Sequence, residues 1–174
     1  MARGTGAKNK RIFENCTIKK ATILSNVDGF KVNLQKSPRI EYQESMFSDT
    51  IDVSMVVINS TNRVRGKNLM EGLPLVGTED FLVAIEDSKG NVIETELVVN
   101  KVTPLENTTQ RETILLQFTS EQFIRNEERS AAIVKRYDGK VSEHMRKILT
   151  ENLKVDEDKI DIEETSNNYN FVGN

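Results

Sequence analysis

Tryptophan is missing from the 174 residues, and cysteine and histidine occur once each, as Cys16 and His144. A single cysteine forms no disulfide within the chain. One cysteine and one histidine far apart in sequence leave a zinc site short of ligands. No apolar run approaches the ~18 residues of a membrane-spanning helix, so no membrane partner is expected. Residues 1–10 are basic but no apolar stretch follows, so a secretory leader is not expected. Hydrophobic residues reach only 37% while charged residues make up 29%. A chain of this length then holds one domain plus a remnant, or one domain with a long tail, with a modest core and much polar edge.

The net charge is -3, but it is unevenly placed. Residues 1–20 carry Arg3, Lys8, Lys10, Arg11, Lys19 and Lys20 against Glu14 alone. Residues 151–174 carry seven acids against Lys154 and Lys159. Ends of opposite sign suit stacked or head-to-tail contacts between chains, and they equally describe two solvated tails.

Residues 1–15 read as a flexible basic arm, because Gly4, Gly6 and Ala7 have little to bury. Extended segments follow. Residues 16–24 are rich in β-branched side chains, residues 26–29 form a turn, and Phe30, Val32 and Leu34 alternate with polar neighbours. Ser37 and Pro38 break that strand, and Ile40 and Tyr42 resume it. In residues 50–59, Ile51, Val53, Met55 and Val57 share one face, while the other begins polar and turns apolar at Val56 and Ile58. Residues 60–76 read mostly as loop, and residues 62–74 as a contact with a neighbouring subunit or a sheath-like partner. Residues 81–86 and 92–103 form a hairpin across the turn at 87–90, with a bulge expected near Glu96 and Leu97. Residues 104–110 read as a polar loop, and Ile114, Leu116 and Phe118 mark the last strand.

The texture changes at Thr119, which with Gln122 fits a capping box before a short helix over 120–129. Asp138 and Gly139 read as a turn. Val141, Met145, Ile148, Leu149 and Asn152 fall at helical spacing, with Ser142 as the cap. The fold class expected is α+β, mainly β: an antiparallel barrel-like domain over 16–119, then a helix-containing appendage or incomplete second domain over 120–174. Exposed edges of such a sheet call for closure or for pairing with another subunit.

Convergent chemistry is sparse. Glu41, Glu44, Asp49 and Asp52 are near in sequence, but strands need not bring their carboxylates together. His144 reads as a half-exposed helix residue, and Cys16 as a small apolar packing group. Gly66 and Lys67 lack the upstream glycine and the following Ser or Thr of a phosphate loop. Asp156, Glu157, Asp158 and Asp161 lack calcium-loop spacing. The basic arm has no interleaved aromatics, so it does not read nucleic-acid sequence. No residue is assigned a catalytic, cofactor-binding or metal-binding role.

Two stretches carry a resemblance. Residues 42–59, Tyr-Gln-Glu-Ser-Met-Phe-Ser-Asp-Thr-Ile-Asp-Val-Ser-Met-Val-Val-Ile-Asn, and residues 71–81, Glu-Gly-Leu-Pro-Leu-Val-Gly-Thr-Glu-Asp-Phe, resemble the central baseplate hub proteins of T4-like contractile-tailed phages. That resemblance implies a structural virion protein in the tail baseplate, assembled in the host cytoplasm. It implies a trimer whose subunits each carry two barrel-like tube domains. Such a ring bridges the tail tube, or its initiator proteins, and a central spike around a channel for genomic DNA. Residues 16–119 would be the first tube domain. With the second domain unaccounted for, the expectation is a piece of a longer hub or one half of a split hub. Two other readings stand beside it: a small β-rich binding or adaptor module without an assembly role, and a tail-associated wall hydrolase.

Overall fold

Period-two alternation decides which face of each strand is buried. The computed structural model describes residues 16–37, 39–60, 64–108, 111–128, 133 and 136–172. In β4 (Asp52–Ser60), Val53, Met55 and Val57 are buried and Ile58 is exposed, as the pattern requires. In β7 (Arg111–Thr119), Ile114, Leu116 and Phe118 point the same way. With β1 (Thr17–Leu24), β2 (Lys31–Asn33), β3 (Arg39–Gln43), β5 (Asp80–Glu86) and β6 (Val92–Asn107), these form one antiparallel seven-stranded sheet. Its order is β2-β1-β5-β6-β7-β4-β3.

That order forces curvature. β2 and β3 are consecutive in the chain yet lie on opposite edges of the sheet. A flat seven-stranded sheet is about 29 Å wide at ~4.8 Å per gap. The six Cα steps from Asn33 to Arg39 reach at most about 22 Å. The sheet therefore curls into an open half-barrel, with residues 34–37 at its mouth. Phe81 on β5 and Phe118 on β7 stack over the intervening β6, ring centroids 3.8 Å apart and planes 14° from parallel. The fold is α+β, barrel-like, with a smaller helical region after it.

Bends in β6 serve the curl. Its first half pairs with β5 and its second with β7, and the register to β7 slips between Val99 and Lys101 and again between Pro104 and Glu106. The bulge expected at Glu96 and Leu97 is not there: Leu82 and Phe81 oppose those two residues in unbroken register. The apparent phase slip in the sequence arises because Leu97, Val98 and Val99 are all buried, with Val98 facing the opposite side from its neighbours. Residues 104–107, expected as loop, continue the strand, because Pro104 lies at a bulge where its missing N–H costs no regular ladder bond.

The 60–76 stretch is also more than loop. Val64 and Lys67 pair across Arg65 and Gly66, both at positive φ (54° and 73°), which is the geometry of a tight reversed turn. Asn68 then caps α1 (Leu69–Gly72), its side chain accepting the Glu71 amide at 2.8 Å. Leu69 and Leu73 are buried in the same core cluster as Met55, Phe81 and Phe118. These two leucines fill the concave side of the sheet, which removes them from the expected subunit contact. Gly72 is required by packing: a Cβ there would stand 2.2 Å from the Val64 carbonyl oxygen.

After the sheet comes α2 (Glu121–Glu127), whose cap is Ser120, accepting from Phe123 at 3.3 Å. The expected cap, Thr119, is instead fully buried and bonded through its hydroxyl to Thr50 at 2.7 Å. Further on, β8 (Arg136–Lys140) pairs antiparallel with β9 (Asn168–Val172). Asp138 and Gly139 are thus strand residues and no turn, opposite Asn170 and Tyr169. Gly139 takes φ 133°, a conformation open to glycine, so the pair keeps its extended path. Between the two strands lie α3 (Val141–Lys147), a π-helical turn at Ile148–Asn152 and a 3-10 turn at Glu157–Lys159.

Candidate functional site

The mouth of the half-barrel holds a cleft of about 490 Å³. Phe30, Val32, Val57 and Leu69 are among its apolar walls, and Lys31 and Lys36 line it from exposed positions. Ser37 also lines it, and the Ser37 hydroxyl oxygen is buried without a hydrogen-bond partner. One wall is braced from behind. The Arg65 guanidinium stacks 3.9 Å from the Phe30 ring centroid and binds Asp28. Its hydrogen bond holds the Asp28 carboxyl below the usual carboxylate range, helped by the Phe30 amide.

At the other end of β4, the β3–β4 connection presents a knob. Met46 is 89% and Phe47 92% exposed. The turn is ordered by its own bonds: Ser48 donates to the Ser45 carbonyl at 3.0 Å, and Phe47 to the Ser45 hydroxyl at 3.2 Å. Thr50, just beyond, bonds Thr119 and Ser120, which ties the base of the knob to the start of α2. Glu44 and Asp49 flank it, both exposed.

The carboxylates expected near one another are dispersed into local pairs. Glu41 is held by Arg39, and Glu44 accepts from the Tyr42 hydroxyl at 2.9 Å. Burial, then that hydrogen bond and charge, push the Tyr42 phenol up to about 12. Asp49 and Asp52 stay exposed. Cys16 is exposed, which corrects its reading as a packing group: it precedes β1 and has no buried register position. Asp156 is occupied by Lys159 at 3.0 Å. Among the described residues no three His, Cys, Asp or Glu side chains gather as metal ligands.

His144 is not half-exposed; only 7% of it reaches solvent. It lies edge-on to Tyr137 at 5.3 Å, on the face of α3 that packs toward β8, whereas Met145 of the expected apolar face is 49% exposed. Ser142 does not cap α3. Its hydroxyl meets Thr165, which returns a backbone bond at 3.2 Å, so the strand-like tail is pinned to the helix. A second hollow of about 300 Å³ beside α3 is lined by Lys140, Arg146 and Lys147 together with Glu143, Glu157 and Glu164, so its charges largely offset one another.

Two buried carboxylates escaped the sequence reading, and both are structural. Glu79 is fully buried and accepts from the Val76 and Gly77 amides, closing a loop in which Gly77 and Thr78 both take positive φ. Glu112 is buried on β7 and accepts from Leu69. Its position two residues before Ile114 placed it on the inward face, a signal available from alternation alone.

With this geometry in view, no protein-family model matches the chain and no curated protein matches it in sequence.

Proposed function

We propose that this chain is a structural subunit of a contractile phage tail, a baseplate hub component that assembles with copies of itself between the tail tube and a central spike. The observation that carries the reading is the open half-barrel whose edge strands, β2 and β3, are each paired on one side only among the described residues. Open edges favour completion by neighbouring chains over a free monomer. The two stretches that resemble hub proteins run from the end of β3 through most of β4 and from α1 into β5. Sequence ends of opposite charge suit a stacked assembly whose channel passes DNA without reading it.

Purified tails test this directly. Mass spectrometry of intact particles is expected to find the chain, and electron microscopy of labelled particles to place it in the baseplate. Its absence from assembled tails would overturn the proposal. The cleft favours a second reading, a β-rich binding module. That reading expects a stable monomer at all concentrations in light scattering.

A further inference from the structure

We infer that the Met46–Phe47 knob of one copy docks into the seam cleft of a second copy. The inference rests on the assembly reading above and names the contact that would carry it. Three observations support it. First, the knob is apolar, almost fully exposed and held in an ordered turn, so docking it gains buried apolar area with little ordering of the chain. Second, the cleft has apolar walls of a size that takes such side chains. Third, the charges match: Glu44 and Asp49 flank the knob, while Lys31 and Lys36 line the cleft.

A knob cannot enter the cleft of its own chain. Knob and cleft sit at opposite ends of β4, on the order of 20 Å apart along a strand that is paired on both sides. The occupant is therefore a second copy. Made once per pair of copies, the contact is head-to-tail; made reciprocally, it closes a twofold dimer. Repeated head-to-tail, it generates a ring where the rotation closes and a filament where it does not.

Cross-linking tests the geometry on the full chain. With Cys16→Ser as background, copies carrying Phe47→Cys are mixed with copies carrying Lys36→Cys and oxidised. Disulfides are expected between unlike copies, and absent when Lys89→Cys, on the β5–β6 turn outside the cleft lining, replaces the cleft variant. Predominant like-to-like products, or no product, would overturn the inference. In sedimentation, the double variant Met46→Ser with Phe47→Ser is expected to keep the wild-type circular dichroism spectrum and to lose self-association at least tenfold. Unchanged association would overturn it as well. Detection of the chain in purified tails separates the two proposals. Tails that contain wild type and the double variant equally would sink the docking contact and spare the hub reading. Cross-linking without the chain in tails would do the reverse.

Discussion

The Glu112 carboxylate on β7 accepts the backbone amide of Leu69 at 2.6 Å, so a buried charge on the sheet holds the first turn of α1. A four-residue helix has no stability of its own. Its place over the core depends on this bond, on the Asn68 cap and on burial of Leu69 and Leu73. Glu112→Ala leaves the Leu69 amide without this acceptor and is expected to cost about 2 kcal/mol. Glu112→Gln, which keeps an acceptor, should cost less. Urea midpoints at neutral pH check the order, and an alanine variant as stable as wild type would contradict it.

Gly72 faces a different constraint. A Cβ at this position would overlap the Val64 carbonyl at 2.2 Å and the Val64 side chain at 2.7 Å. Because the nearer atom is backbone, Gly72→Ala forces α1 away from the tight turn at 65–66. A loss of roughly 1–3 kcal/mol is expected from overpacking. Thermal denaturation would show it as a lowered Tm, and an unchanged Tm would mean that α1 shifts freely.

Neighbouring positions of β4 should respond in opposite ways. Met55 is completely buried, and Met55→Asp places an unpaired charge in the core, at a cost of several kcal/mol. Ile58 points out of the core, so Ile58→Asp should leave the fold intact. Soluble yield and circular dichroism separate the two. A folded Met55→Asp variant would refute the assigned face of the strand.

Tyr42 should ionise late. Its phenol sits at about 12 against an ordinary value of 10.0. Because the folded value is raised, its contribution to stability is complete below the unfolded value near 10 and is lost as pH rises toward 12. The difference in alkaline absorbance between wild type and Tyr42→Phe is expected to show a transition near 12. Glu44→Gln removes the charge and hydrogen bond of the carboxylate, leaves the burial, and should move that transition part of the way down. A transition already complete at 10 would contradict the buried setting.

Alternation carried most of the sheet into view, because a strand with one wet face writes its burial into every second residue. Val53, Met55 and Val57 on β4, and Ile114, Leu116 and Phe118 on β7, were legible for that reason. Where both faces are covered the signal fails, as at Leu97, Val98 and Val99, and the register slips between Val99 and Lys101 instead of at Glu96 and Leu97. Local turn chemistry misled at Pro104 and at Asp138 and Gly139, where the surrounding pairing overrides it. Burial of His144 was hidden because α3 packs through a short polar face, with Ser142 and His144 inward. The cleft and the knob were illegible for a stronger reason: each depends on residues brought together from β2, β4 and α1, or on the sheet edge, which no local window contains.

The jump from β2 to the far edge also sets an order of events in time. The earlier strands pair at first only with each other, β1 with β2 and β3 with β4; on its second side Ile23 must wait for Phe81, and Val53 for Phe118. Within the seven-stranded sheet, β5, β6 and β7 alone pair as three consecutive strands, so they form the natural nucleus, and the β1–β2 and β3–β4 pairs close onto it late. Pulsed hydrogen exchange during refolding should protect Val83 and Leu116 before Ala21. Until the flanks arrive, the newborn chain carries its hydrophobic N-terminal strands bare.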